Sequence, residues 1–224
     1  MKILFIGNSF TYFNDMPTAI FEKIAVGCGM DVSVSSVTAG GWSLLRYAEA
    51  GDDKTAAVEQ ALSERPDIVI LQEQSHTPIS APEKFSEGAR LLCERCRAAG
   101  AVPYLFATWG YHEGHGKLKL YGTDTADMEK KLRRAYTSVA EELGIKVCQA
   151  GAAMTYAYLK GAQGLYRPDN YHPDPQGSLI AAVTILATVT GVDISELDLS
   201  DFSPYDVPLV KEAVSAALSL EDEL

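Results

Sequence analysis

The chain has 224 residues, 47% of them hydrophobic and 22% charged, and carries a net charge of −11 at neutral pH. That is length enough for one ordinary domain with a buried core, expected here to span residues 1–224. The acidic balance argues against a nucleic-acid partner, which clustered Lys and Arg would have to hold, and no apolar stretch is long enough to span a membrane.

Ile3, Leu4, Phe5 and Ile6 form an apolar run closed by Gly7, which predicts a strand over 2–6 that stops abruptly. The run is too short for a secretory leader and ends in Gly-Asn-Ser, so a cytoplasmic location is expected. A helix is predicted over 17–26, with Pro17 in its first turn behind Asn14-Asp15 as the capping segment. Strands follow at 32–37, 67–71, 102–107 and 146–148. Helical spacing of apolar residues covers 54–63, 82–99 and 125–143 between them. Pro82-Glu83 behind Ser80 resembles a helix start, and Gly100 and Gly144 stand where helices stop. Beyond the fifth strand come a helical segment at 150–160, a turn-rich loop at 161–173, a helix at 175–190 capped by Asp174, and a helix at 208–218. The acidic tail 221–224 is expected to fray.

Strict strand–helix alternation implies right-handed crossovers and a parallel sheet covered on both faces. The expected fold is α/β: a flavodoxin-like three-layer α/β/α sandwich around a five-stranded parallel sheet. Cys93-x-x-Cys96 lies inside the helix 82–99 with no second pair, and Cys28 and Cys148 stand apart, so packing explains the cysteines better than redox or zinc chemistry. Lys130-Lys131 and Arg133-Arg134 follow Asp124, Asp127 and Glu129 and read as the solvated face of a helix.

Each loop at the carboxyl end of a strand carries unusual chemistry, and that edge is where open α/β sheets collect ligands. Asn8-Ser9 follows the first strand and Gly40-Gly41-Trp42 the second. Gln72-Glu73-Gln74-Ser75-His76 follows the third, Trp109-Gly110-Tyr111-His112 the fourth, and Asp169-Asn170-Tyr171-His172 comes after the fifth. Acyl transfer by a serine needs a base, an acid to orient it, and donors aimed at the developing oxyanion. Ser9 would be the nucleophile and His172 the base, with Asp169, three residues before it, holding the far ring nitrogen. The Ser9 N–H, a glycine N–H from Gly40 or Gly41, and a Gln72 or Gln74 amide could bind the oxyanion. His76 is a competing base, and Asp174 a competing orienter. Asn8, Trp42, His76, Trp109 and Tyr111 are candidates for lining the site. His112-x-x-His115 could suggest a metal, but without a third ligand the segment reads better as a lid over the site, and no metal or cofactor is expected.

Gly7-Asn8-Ser9-Phe10-Thr11 resembles the first block of the SGNH/GDSL hydrolases, with Asn where Asp is usual, and Asp169-x-x-His172 resembles their last block. Gly41 falls where the second block places its oxyanion glycine. Where the third block usually reads Gly-x-Asn-Asp, this chain has Gln72-Glu73-Gln74-Ser75, which puts Gln74 on the asparagine position with an amide one methylene longer. The glutamine is similar to that of a branch of carbohydrate esterases. The resemblance implies metal-free serine hydrolysis of acyl esters: carbohydrate acetyl esters, lipids, thioesters or small aryl esters. It assigns Ser9, Asp169 and His172 as catalytic and Ser9, Gly41 and Gln74 as the oxyanion donors, with Gly40 and Gln72 as fallbacks. The expected partner is a small-molecule ester, with a small carbohydrate acetate first; a thioesterase, a short-chain lipase-like enzyme or a non-catalytic glycan-binding module are the rivals.

Overall fold

A computed structural model describes residues 1–49 and 51–220; the tail 221–224 lies outside the described residues. β1 (Lys2–Gly7) runs into a single turn, α1 (Ser9–Tyr12), then a 3-10 turn at Phe13–Asp15, a π-helical stretch at Met16–Glu22, and α2 (Lys23–Gly27). β2 (Ser33–Thr38) leads to α3 (Leu44–Glu49) and α4 (Asp53–Ser63), and β3 (Ile68–Leu71) to α5 (Thr77–Ser80) and α6 (Pro82–Ala98). After β4 (Val102–Phe106) come α7 (Gly116–Leu120) and α8 (Thr125–Leu143). β5 (Lys146–Cys148) leads to α9 (Ala150–Leu159), α10 (Pro175–Thr190) and α11 (Val207–Ser219).

The strands pair in parallel in the order β2-β1-β3-β4-β5, so the winding reverses between β1 and β3. Alternation along the central strands divides the core in two. Ile3 and Phe5 of β1 and Ile68 and Ile70 of β3 face the layer built from the Met16–Glu22 stretch, α9, α10 and α11. Leu4, Ile6, Val69 and Leu71 face the layer of α3, α4 and α6, while α8 contributes Met128 and Leu132 to the first core and Tyr136 and Val139 to the second. This is the expected three-layer sandwich. β3 is buried along its whole length, whereas β2 is the most open strand, with Ser33, Ser35 and Ser36 exposed on the sheet's edge.

Three predicted caps make no side-chain capping bond. Asn14 and Asp15 sit in the left-handed region at φ 59° and 49°, and Asp15 makes no capping bond. The helix behind them starts π-helical instead. Ser80 belongs to α5, and Ala81 precedes Pro82 without a side-chain cap. Asp174 occupies the capping position of α10, but its backbone carbonyl, not its side chain, accepts from Ser178 N–H. Gly100 (φ 85°) and Gly144 (φ 62°) do end their helices in the left-handed region. The short helices α3, α5 and α7 escaped sequence periodicity, being too brief to show one. The cysteines form no disulfide, and Cys93 and Cys96 are buried in the second core.

Candidate active site

Ser9 owes its position to how β1 ends. A Cβ on Gly7 would collide with Thr11 Oγ1 and the Gln72 side chain, so glycine alone fits, and Tyr47 Oη donates to the Gly7 carbonyl at 2.7 Å. Asn8, 1% exposed, then locks the turn. Its N–H donates to Gln72 Oε1 (2.9 Å), its Oδ1 accepts from Phe10 N–H (3.2 Å), and its Nδ2 donates to the Trp42 carbonyl (2.9 Å). Ser9 opens α1 with its hydroxyl facing a cavity of about 390 Å³.

The structure brings Ser9, His172 and Asp169 together. His172 Nε2 lies 2.7 Å from Ser9 Oγ, and His172 Nδ1 lies 2.8 Å from Asp169 Oδ2. With Nδ1–H donating to the carboxylate, Nε2 accepts from the serine hydroxyl. Asp169 Oδ1 also takes the N–H groups of Tyr171 (3.2 Å) and His172 (3.0 Å), so the tight turn orients carboxylate and imidazole as one unit. Burial pushes the Asp169 carboxyl up. The bonds from the His172 ring and from the two backbone N–H groups outweigh it and hold the group below its ordinary range. The imidazole stacks on Phe13 at 4.3 Å and packs against Tyr171 at 4.0 Å.

Long-range bonds fasten this turn. Trp109 Nε1 donates to the Tyr171 carbonyl (3.0 Å), His112 N–H to the Asn170 carbonyl (2.8 Å), and Arg167 N–H to the His172 carbonyl (3.0 Å). Asn14 Nδ2 donates to the Pro173 carbonyl (3.0 Å) and Ser178 Oγ (2.8 Å), tying the segment after the serine to the segment after the histidine. These two hydrogen bonds help hold Asn14 in its left-handed backbone, a conformation asparagine adopts more readily than most residues.

Gly40, Gly41 and Gln74 line the serine cavity. Among the described residues the N–H groups of Ser9, Gly40 and Gly41 make no hydrogen bond, and Gly41 takes φ 72°, which favours glycine. Gln74 Nε2 has only a 3.3 Å bond to Ser75 Oγ, while its Oε1 accepts from His76 N–H and Thr77 Oγ1. Gln72 does not line the cavity. It is wholly buried, its Oε1 accepting from Asn8 N–H and Thr11 Oγ1 and its Nε2 donating to the Glu73 carbonyl, so its amide is spent on structure. Behind these loops Glu73, also wholly buried, accepts from Leu44 N–H with one carboxyl oxygen and from Gln74 N–H with the other. Burial pushes its carboxyl up to about 7.

Trp42, Trp109 and Tyr111, expected to line the site, do not line the serine cavity. Trp42 packs on Tyr47 in the second core with Arg46 over its ring at 4.0 Å. Trp109 is buried against Phe10 and Phe106, and Tyr111 is buried with its hydroxyl on Ser75 Oγ at 2.7 Å. Phe10, Tyr12, Phe13 and Tyr171 line the cavity instead, flanking the serine or the histidine in sequence, which is the signal that could have found them. Ser75 and Lys117 also line it and were missed. His76 lines a separate cavity with Ile79, Tyr121 and Met128, away from the serine; burial first, then Lys117, lowers its affinity for a proton. Asp174 makes no bond to His172.

The 110–116 segment packs against the histidine turn rather than lying over the serine. His112 sits against Tyr158 and Tyr166, whereas His115 Nδ1 accepts from Lys117 N–H and its ring packs on Tyr111. No described helix is long and apolar enough to cross a membrane.

No protein-family model matches the chain, and no curated protein matches it. Among solved structures, a protein from Slackia heliotrinireducens assigned to the SGNH hydrolases is 30% identical over 84% of this chain and 98% of its own, at a TM-score of 0.72. A DUF4886 family protein from Bacteroides uniformis is 21% identical over 99% of this chain and 96% of its own, at a TM-score of 0.84. The acetyl xylan esterase AlAXEase shares the fold at 16% identity, 84% and 100% coverage and a TM-score of 0.63.

Proposed function

The chain belongs to the SGNH hydrolase family, and from that membership we propose that it is a serine esterase cleaving small acyl esters, acetyl esters foremost, with residues 1–224 as one catalytic domain. The observation that carries this reading is the continuous relay from Ser9 Oγ through the His172 ring to Asp169, with bonds of 2.7 and 2.8 Å. Ser9 Oγ attacks the ester carbonyl carbon as His172 Nε2 takes its proton, and the carbonyl π electrons move onto oxygen. The Ser9 N–H, the Gly41 N–H with Gly40 beside it, and the Gln74 amide would receive that oxyanion. As the tetrahedral adduct collapses, His172 gives its proton to the departing alkoxide. Water, deprotonated by the same nitrogen, then attacks the acyl-serine and restores the enzyme.

A carbohydrate acetate is the favoured substrate class. The amide of Gln74 and the aromatic rings of Tyr12, Phe13 and Tyr171 on the cavity wall suit a sugar's hydroxyls and its apolar face. The test is turnover of 4-nitrophenyl acetate and labelling by a fluorophosphonate. Both are expected in the native protein, and Ser9→Ala should lose labelling and at least about 10³-fold in kcat. Labelling that survives Ser9→Ala would overturn the assignment, and a native protein inert in both assays would favour a binding module.

A further inference from the structure

Lys117 is the cationic side chain among the residues lining the serine cavity, where His172 is the only other titratable group besides the phenols of Tyr12 and Tyr171, and no Asp or Glu contributes to the wall. The Lys117 side chain is only partly exposed, and its ammonium makes no hydrogen bond or ion pair among the described residues. Lys54, Lys84, Lys119 and Lys130 also lack a carboxylate partner among the described residues, but they are exposed, whereas Lys117 stands on the wall of this cavity. Lys23, Arg95, Lys131, Arg133 and Lys160 each hold a carboxylate within 3.3 Å. Nor does the general surface charge account for it, since the chain carries eleven more acidic than basic residues. An unpaired cation on the wall of the cavity that holds Ser9, with no carboxylate there to neutralise it, offers a place for an anion.

We propose that Lys117 forms an anion subsite next to Ser9, so that the preferred ester carries a carboxylate, phosphate or sulfate on its acyl or its alcohol part; this rests on the esterase reading above. The aromatic rings of Tyr12, Phe13 and Tyr171 would take the apolar portion between the ester and that charge. Short-range attraction must do the selecting, because the acidic surface repels anions at longer range. Attraction between unit charges at contact, in the mixed dielectric of a pocket mouth, corresponds to roughly 10- to 100-fold in kcat/KM.

Two matched pairs of esters read this out: 4-nitrophenyl hydrogen adipate against 4-nitrophenyl hexanoate for an acyl-side charge, and 4-acetoxybenzoate against its methyl ester for an alcohol-side charge. In one pair the anionic-over-neutral ratio of kcat/KM should fall about 10-fold or more in Lys117→Met, fall further in Lys117→Glu, and recover in Lys117→Arg. The pair that responds tells which side bears the charge. Because each ratio is taken within one protein, partial loss of folded enzyme cancels. Ratios within twofold of each other across the native and variant proteins, in both pairs, would overturn the subsite while leaving the esterase standing. A native protein that turns over none of the four esters and takes no fluorophosphonate would overturn both.

Discussion

Two glutamines separated by one residue do different work, and their surroundings say which. Gln74 borders the serine cavity with most of its amide donor capacity free, whereas Gln72 spends both ends inside the protein on Asn8, Thr11 and Glu73. Gln74→Ala should lower kcat by about 10²-fold, the cost of removing one oxyanion donor, and should destabilise the fold less than Gln72→Ala, because the His76 N–H and Thr77 hydroxyl that lose its Oε1 are only part-buried. Gln72→Ala leaves the Asn8 N–H and the Thr11 hydroxyl without their buried acceptor. It should cost about 1–3 kcal/mol for each group in a urea titration before any effect on the chemistry is considered. A reversed pattern would exchange their roles. Sequence left this choice open because adjacent polar residues after a buried strand look alike until the backbone decides which one turns inward.

At the scale of elements, the site hangs on close approaches between helices and strand ends. Gly151, in the first turn of α9, accepts no Cβ: one would run into the Thr108 carbonyl at the end of β4. Gly151→Ala should therefore push α9 from the sheet at about 1–3 kcal/mol, seen as a lower melting temperature. It should also slow hydrolysis, because Trp109, next in the chain after Thr108, holds the Tyr171 carbonyl beside the base. Unchanged melting and turnover would show that the contact relaxes freely. The strands were legible in the sequence since Ile68, Val69, Ile70 and Leu71 are apolar on both faces, as burial between two helical layers requires. The path from Asn14 to Glu22 was not, because its left-handed start is held by bonds to Pro173 and Ser178, some 160 residues away. The roles of Trp42, Trp109 and Tyr111 failed for a similar reason: residue type marks an aromatic loop but not which side of the loop faces the core.

For the molecule as a whole, one buried acid should leave a mark on stability. Burial raises the Glu73 carboxyl to about 7, above its ordinary value near 4.5, so the fold favours the protonated form. Its contribution is fully present below about pH 4.5 and is lost as pH rises through 7, on the order of 3 kcal/mol across that window. Subtracting the urea midpoints of Glu73→Gln from those of the native protein should isolate a decline between pH 4.5 and 7; a flat difference would show that the carboxyl ionises freely. The serine and its base stand 163 residues apart in sequence, one leaving the first strand and the other entering the tenth helix. On the ribosome Ser9 therefore emerges well before His172. Under the esterase reading, a growing chain that already holds all five strands but not His172 cannot complete the relay, so hydrolysis would begin only once α10 packs and brings the histidine to the serine.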